Sequence, residues 1–222
     1  MEPLKTKNLF QDLSQTLAKD LLESVDYPWE ALSQIGPYIK KIGEALPEDE
    51  YEKRGEDVWI AKSAKIYPNT YIAGPTIIGK ETEVRPGAFI RGNALVGDGA
   101  VVGNSTELKN VILFNKVQVP HYNYVGDSIL GYKSHMGAGA ITSNVKSDRT
   151  LVLVKGGEKK LETGLKKMGA ILGDNVEVGC GSVLNPGTVV GSDSIIYPLS
   201  SVRGFILPGS IYKKRSEIIK KK

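Results

Sequence analysis

The 222-residue chain has a formal charge of +4 and is 41% hydrophobic but only 7% aromatic, so Ile, Val and Leu must build most of its core. The single cysteine, Cys180, excludes an internal disulfide, and no early apolar run reaches the length of a signal peptide or membrane span. These features favour a reduced, cytoplasmic location, no membrane partner and, because the mild charge is concentrated in the tail, no nucleic-acid partner.

The first apolar pattern predicts an N-terminal helical extension over residues 1–57. An amphipathic helix that ends before Pro28 is indicated by apolar residues at every fourth position, Leu9, Leu13, Leu17, Leu21 and Val25. A second helical pattern, interrupted at Gly36-Pro37, follows at Leu32, Ile35, Ile39, Ile42 and Leu46. We expect these helices to cap one end of the next domain rather than to bind a partner.

A strict six-residue period then predicts a domain over residues 58–212. The aliphatic positions are Ile60, Ile66, Ile72, Ile78, Val84, Ile90, Val96, Val102 and Leu108, and later Leu130, Met136, Leu172, Val178, Leu184, Val190, Ile196 and Val202. A small residue stands four positions after each of the first eight, from Ala64 after Ile60 to Thr106 after Val102. Helices repeat near 3.6 residues and simple strands near 2, so this period indicates triangular coils of three short strands, stacked as a parallel β-helix.

Two departures from the period mark candidate functional segments. The step from Leu108 to Leu130 is four residues longer than three hexads, which predicts an extra loop between about Val117 and Tyr124. The second departure, over residues 145–170, predicts a protruding hairpin or lid with a turn at Lys155–Glu158. After the repeats, residues 213–222 form a basic C-terminal tail.

The chain has two histidines, His121 in the predicted loop and His135 one coil later. Stacked coils bring such positions near one another despite their separation in sequence. Two histidines do not suffice for a three-histidine zinc site, so no metal is predicted. For each histidine, a hydrogen-bonded structural role remains the alternative to a role in catalysis or binding.

Three strings carry a family resemblance: VGNSTELKN from Val102, PHYNYVGDS from Pro120 and GAGAITSN from Gly137. They resemble the acetyltransferase domain of bifunctional N-acetylglucosamine-1-phosphate uridyltransferases, and of archaeal sugar-1-phosphate nucleotidyltransferases that carry such a domain. The resemblance covers roughly Ile60 to Pro208. It implies a left-handed hexapeptide-repeat β-helix, a homotrimer, acetyl-CoA as co-substrate and N-acetyl transfer to an amino-sugar 1-phosphate similar to glucosamine 1-phosphate.

The resemblance makes His121 the general base. An ammonium group cannot attack a thioester, so a group that titrates near neutrality must take a proton from the amine, as an imidazole can. Backbone N–H groups of the Gly137, Ala138 and Gly139 stretch are expected to stabilise the oxyanion on the cofactor side of the site.

The same resemblance implies that Lys109, Tyr124 and Asn144 contact the acceptor. For the phosphate, counting from the VGN string selects Arg91, whereas the local string at Arg85 looks more like that of the family, and Arg91 is preferred. His135 stands where the family has a sugar-contacting asparagine, which leaves the identity of the acceptor open.

Further departures concern the cofactor. Cys180 takes a serine position along the acetyl-CoA channel, and Tyr197-Pro198-Leu199 places bulk where the family has small residues. No Gly-rich nucleotide loop precedes Ile60, so no uridyltransferase activity is expected in this chain. The alternatives to this acetyltransferase are an acyl-CoA transferase with another acceptor and a non-catalytic scaffold that binds sugar phosphates.

Overall fold

The computed structural model describes residues 1–156, 159–214 and 217–220, and it confirms the fold class: a left-handed parallel β-helix of about eight coils with few helices. Strands of successive coils pair in parallel and build a 14-stranded and a nine-stranded sheet, and a separate hairpin adds a two-stranded sheet. In the described residues no helix is both long and apolar enough to cross a membrane.

The strands form three faces of a prism. The first face contains Val58–Ala61, Thr76–Ile78, Ala94–Val96, the second halves of Glu107–Leu113 and Tyr124–Leu130, Ala170–Leu172, Thr188–Val190 and Phe205–Ile206. The second face contains Lys65–Ile66, Glu83–Val84, Val101–Asn104, Gln118–His121, His135–Met136, Glu177–Val178, Ile195–Ile196 and Ser210–Lys214. The third face contains Tyr71–Ile72, Phe89–Ile90, the first halves of Glu107–Leu113 and Tyr124–Leu130, Ile141–Thr142, Val183–Leu184 and Ser201–Val202.

The remaining elements lie outside these faces. Tyr51–Lys53 and Glu217–Lys220 pair antiparallel with the first and last coils, and Leu153–Gly156 pairs antiparallel with Lys159–Glu162. The α-helices are Thr6–Leu9, Lys19–Glu23 and Ile35–Gly43, and the 3₁₀ helices are Glu2–Leu4, Leu13–Gln15 and Pro28–Gln34.

The predicted core period holds along the prism. The aliphatic residues from Ile78 to Leu108, and again from Leu172 to Val202, are buried in its interior. Buried threonines among the small positions satisfy their hydroxyls on the backbone, as Thr82 does by donating to the Gly97 carbonyl (2.7 Å). The aliphatic residues therefore fill the interior and the small residues lie at the corners, as the six-residue period predicted.

The prediction of an extra loop between Val117 and Tyr124 is wrong. Coils in this region are shorter, not longer: Val111 pairs with Ser128, and Asn110 bonds to Asp127 seventeen positions on, where earlier coils advance by eighteen. Two corners, at Asn110 and Asp127, take a left-handed backbone (φ 55° and 48°) and each drops one residue from its hexad. His121 consequently ends a regular strand instead of lying in a bulge.

The N-terminal segment, residues 1–46, also differs from the prediction. The expected helix over Leu9 to Val25 is broken into three short pieces, and a 3₁₀ helix starts at Pro28 itself. The segment does not cap an end of the prism but runs along the first face: Ser192 donates to the Leu9 carbonyl (2.9 Å) near one end, and Gly43 packs on Trp59 at the other.

The first face explains this path. On the other two faces exposed or half-buried residues mostly alternate with buried ones, whereas on the first face both the inward and the outward positions are buried, except that Phe205 in the last coil is half-buried. The outward positions are all apolar and form one column in register, Trp59, Ile77, Leu95, Ile112, Ile129, Ile171, Val189 and Phe205. Burial of this column against the N-terminal segment stabilises both.

The hairpin predicted over residues 145–170 is present as the pair Leu153–Gly156 and Lys159–Glu162. Of its predicted turn, Gly157 and Glu158 lie outside the described residues. In the predicted basic tail, residues 217–220 form a strand, while Arg215, Ser216, Lys221 and Lys222 lie outside the described residues.

Two substitutions test the path of the N-terminal segment. Phe10 is buried and stacks on Phe114 with a centroid distance of 4.8 Å, so Phe10→Ala should lower the free energy of unfolding by about 3 to 5 kcal/mol. Leu17 is 40% exposed, although one continuous amphipathic helix would bury it, so Leu17→Ala should cost less than about 1 kcal/mol. Urea unfolding measures both, and equal losses would contradict the observed path.

Candidate functional site

His121 lies at the corner between the second and third faces. Its strand, Gln118–His121, ends there; Tyr122 turns the chain with a left-handed backbone, and Tyr124 begins the next strand. The His121 side chain is exposed, and its imidazole forms no hydrogen bond or ion pair with any described residue. This histidine is therefore free to exchange a proton with a bound molecule.

The backbone under His121 is held rigidly by Asn123, a residue that the sequence analysis did not single out. The buried Asn123 side chain accepts a hydrogen bond from the His121 N–H (3.1 Å) and donates to the carbonyls of Gly137 (2.8 Å) and Ala140 (3.0 Å). It thereby joins the corner of one coil to the corner of the next. Its position inside the PHYNY string was the available signal.

Ala138 and Cys180 follow His121 in one column along this corner. The His121 carbonyl accepts from the Gly139 N–H (3.0 Å), and the Ala138 carbonyl accepts from the Gly181 N–H (2.9 Å) on the next coil. The predicted trio of oxyanion donors has to be corrected, because the Gly137 and Gly139 N–H groups already donate to backbone carbonyls. Among the three, Ala138 alone keeps an N–H without a partner in the described part of the chain.

A second group of predicted residues meets on the third face. Arg91 binds Glu107 (2.8 Å), and Lys109 binds both carboxylate oxygens of Asp127 (2.9 and 3.1 Å). The Asn144 amide donates to the Tyr124 hydroxyl (3.1 Å) and to Asp127. These six residues, Arg91, Glu107, Lys109, Tyr124, Asp127 and Asn144, are called the third-face cluster below.

Asp127 organises the cluster, although it is not among the residues predicted from the sequence. Its side chain is 5% exposed and accepts hydrogen bonds from Lys109 and Asn110 (3.0 Å) on the preceding coil and from Asn144 on the following coil. Its own carbonyl accepts from the Gly169 N–H (2.8 Å), where the hairpin insertion rejoins the prism. A signal was present: Asn93, Asn110, Asp127 and Asn144 recur at a fixed spacing.

The pKa shifts follow from these contacts. The hydrogen bond to Glu107 raises the pKa of Arg91, which keeps the guanidinium charged. Burial raises the pKa of Tyr124, and the negative charge of Asp127 adds to the effect. Tyr124 therefore remains a neutral hydroxyl near neutral pH, able both to donate and to accept a hydrogen bond.

The structure separates two predicted residues from the cluster. His135 lies on the second face, where its Nδ1 contacts Glu177 (2.8 Å). Arg85, the alternative to Arg91, is also on the second face and binds Glu83 (3.1 Å). Of the two arginines, only Arg91 stands beside Lys109 and Tyr124.

The bulky stretch Tyr197-Pro198-Leu199 continues the His121 corner column beyond Cys180. The Leu199 N–H donates to the Cys180 carbonyl (2.9 Å), and its side chain is 85% exposed. The bulk therefore stands at the far end of the corner, two coils beyond Ala138. No group of His, Cys, Asp and Glu residues suited to a metal ion occurs among the described residues.

A sequence profile of the GMPPB C-terminal domain matches residues 72–201, which include every candidate site residue. The chain belongs to the GMPPB C-terminal domain family. The bifunctional protein GlmU of Methanococcus maripaludis strain C5 is 36% identical over 217 residues, which cover 89% of this chain and 49% of that relative.

Two further proteins are similar to this chain. A bifunctional sugar-1-phosphate nucleotidylyltransferase/acetyltransferase of Sulfurisphaera tokodaii is 32% identical over 166 residues, 75% of this chain and 41% of that protein. A hexapeptide transferase family protein from Anaplasma phagocytophilum, of solved structure, has 16% identity and a TM-score of 0.47 over 74% of this chain and 80% of that one. The chain thus spans about half or less of the length of these two curated relatives, and the family resemblance noted in the sequence is confirmed.

Substitution of Asp127 tests whether it holds the cluster together. Asp127→Asn would leave the Lys109 ammonium, whose side chain is 27% exposed, without its carboxylate, so the free energy of unfolding should fall by about 2 kcal/mol. Glu107→Gln breaks the more exposed pair with Arg91 and should cost less than about 1 kcal/mol. Urea unfolding measures both variants.

The double variant Asp127→Asn with Lys109→Met completes a cycle for this pair. If the pair is the origin of the loss, Lys109→Met should cost less in the Asp127→Asn background than alone. Additive losses would show that Asp127 does not act through Lys109.

Proposed function

We propose that this protein is an N-acetyltransferase that transfers the acetyl group of acetyl-CoA to an amino-sugar 1-phosphate similar to glucosamine 1-phosphate. The observation that carries the proposal is the position of the His121 imidazole next to the Ala138 N–H in one column of a rigid corner, where neither group has a hydrogen-bond partner among the described residues. The names of the relatives support it, since they include a sugar-1-phosphate nucleotidylyltransferase/acetyltransferase.

In the proposed reaction the acceptor amine attacks the thioester carbonyl carbon, and His121 takes the proton that the nitrogen loses. The carbonyl oxygen becomes an oxyanion, and the Ala138 N–H donates a hydrogen bond to it. Collapse of the intermediate expels the thiolate of CoA, which receives the proton from His121. The products are the N-acetylated sugar and CoA, and His121 returns to its neutral state.

The third-face cluster is the proposed acceptor site. Tyr124 and Asn144 offer neutral hydrogen-bonding groups for sugar hydroxyls, and Lys109 and Arg91 add two charged donors. All four groups are oriented before the acceptor arrives. Asp127 holds Lys109 and Asn144, Glu107 holds Arg91, and the Asn144 amide donates to the Tyr124 hydroxyl. Such preorganisation lowers the entropic cost of binding.

Four finer features remain part of the proposal. His135, placed beside Glu177 on the second face, contacts the acceptor from the other side of the His121 corner. Cys180 lies along the path of the pantetheine arm. The active form is a homotrimer, and the chain has no uridyltransferase activity.

A second candidate, a non-catalytic scaffold that binds sugar phosphates, is favoured by one observation. The exposed Leu199 side chain stands on the corner column along which the thioester donor would lie. The third alternative, an acyl-CoA transferase with another acceptor, uses the same His121 chemistry and differs only in the substrate.

Thiol release from acetyl-CoA tests the proposal. With glucosamine 1-phosphate and a panel of other amino-sugar 1-phosphates, the wild-type protein should turn over at least one acceptor, and His121→Ala should lower kcat by about 100- to 10,000-fold. Tyr122→Phe is the matched control, because Tyr122 is the next residue at the same corner and 65% exposed. It should retain wild-type turnover.

Other results separate the alternatives. Equal turnover by His121→Ala and the wild type would refute the general-base assignment. Turnover with none of the acceptors, combined with a melting temperature that rises with sugar phosphate but not with CoA, would favour the scaffold.

A further inference from the structure

A cleft on the third face lies outside the third-face cluster. Residues 145–169, the hairpin insertion, leave the prism after Asn144, and their first strand, Leu153–Gly156, runs along the corner between the third and first faces. Between this strand and the third face is a cleft of about 360 Å³, lined by Lys146, Lys155, Asn185 and Arg203 among others. It is called the hairpin cleft below.

Two glycines allow the hairpin to approach the prism this closely. A Cβ atom at Gly187 would lie 2.6 Å from the Leu153 carbonyl oxygen, and one at Gly204 would lie 2.8 Å from the Lys155 carbonyl oxygen. Both glycines also have a positive φ, which other residues rarely adopt. The backbone that carries Lys155 is therefore fixed beside Arg203.

The charges of the hairpin cleft differ from those of the third-face cluster. In the cluster each cation binds a carboxylate, Arg91 with Glu107 and Lys109 with Asp127, so the charges cancel. In the cleft Lys146 is paired with Asp148 (3.3 Å), while Lys155 and Arg203 form no ion pair with any described residue. Two uncompensated positive charges thus converge on one concave site.

We propose that the hairpin cleft is a phosphate-binding site. Lys155 and Arg203 supply charge-assisted hydrogen bonds to phosphate oxygens, and their two charges match those of a phosphate dianion. Asn185, on the coil between Asn144 and Arg203, borders the same space.

This inference rests on the proposed function for the source of the phosphate. Arg203 stands on the third coil after that of His121, and the coil spacing is about 4.8 Å, so the axial separation alone is about 14 Å. The amine and the phosphate of a sugar 1-phosphate are only a few bonds apart and cannot span it. The long pantetheine arm of CoA separates its thiol from its phosphates, so the phosphates of the donor fit the cleft.

Binding measurements with four probes test the site and its source of phosphate: CoA, dephospho-CoA, glucosamine 1-phosphate and inorganic phosphate. For the double variant Lys155→Gln with Arg203→Gln, the Kd for CoA should rise at least about tenfold, as expected for the loss of one or more charge-assisted hydrogen bonds. Lys159→Gln is the matched control, because Lys159 is an exposed lysine of the same hairpin but is next to Lys160, the residue opposite Lys155, and so projects from the other face of the hairpin. It should bind CoA as the wild type does.

Each probe has a defined meaning. A loss of affinity in the double variant that is larger for CoA than for dephospho-CoA places the 3′-phosphate of the donor in the cleft. A loss confined to glucosamine 1-phosphate or inorganic phosphate keeps the phosphate site but overturns the donor as its source. Unchanged affinity for all four probes overturns the site.

Two further results separate this inference from the proposed function. If acetyl transfer depends on His121 while the double variant keeps the wild-type KM for acetyl-CoA, the assignment of the cleft to the phosphates of CoA fails and the proposed function stands. If no acetyl transfer occurs but the double variant loses phosphate affinity, the proposed function fails and the phosphate site stands. Lys155 and Arg203 are exposed, and an unchanged melting temperature without ligand confirms that the double variant is folded.

Discussion

The parallel hydrogen-bond ladder between coils is the constraint on which the rest of this structure depends. Each strand donates to and accepts from the strand one coil before and one coil after, so residues one coil apart stack about 4.8 Å from one another. A side chain type repeated at coil spacing becomes a continuous column. The buried interior, the apolar first face, the His121 corner and the third-face cluster are all such columns.

The columns divide the prism into faces with different tasks. The first face is apolar on its outer side and is covered by the N-terminal segment, which cannot form a packed core alone because it holds only short helices. With that face covered, the second and third faces and the corner between them remain for ligands. Candidate residues for proton transfer, acceptor binding and donor binding lie there, on backbone that the ladder keeps rigid.

Much of the fold could be predicted from the sequence, because the six-residue period is a direct consequence of the coil geometry. The path of the N-terminal segment could not be predicted from its own pattern, since spacings of four describe a helix only if nothing else competes for the apolar residues. The signal lay elsewhere, in the apolar doublets of every third strand, such as Trp59-Ile60 and Ile77-Ile78. A doublet places apolar side chains on both sides of a strand and so requires a cover.

The errors near the site have the same physical origin. The length of chain from Leu108 to Leu130 exceeds three intact hexads and therefore predicts an inserted loop. In the structure four segments fill this length, and two of them are shortened at Asn110 and Asp127. For the same reason Asp127 escaped notice: a carboxylate in a corner looks like a turn residue until the register places it among Lys109, Asn110 and Asn144.

The short coils also explain why the cluster forms where it does. Asn110, Asp127 and Asn144 are seventeen residues apart, so coils of seventeen residues place them in one column at the corner between the third and first faces. In coils of eighteen residues the same three residues would shift by one position per coil, and their side chains would turn to different sides of the strand. The hairpin insertion leaves the chain directly after Asn144 and returns at Gly169, whose N–H binds the Asp127 carbonyl. The column that orients the cluster therefore also anchors the hairpin, so the cluster and the hairpin cleft share one rigid support.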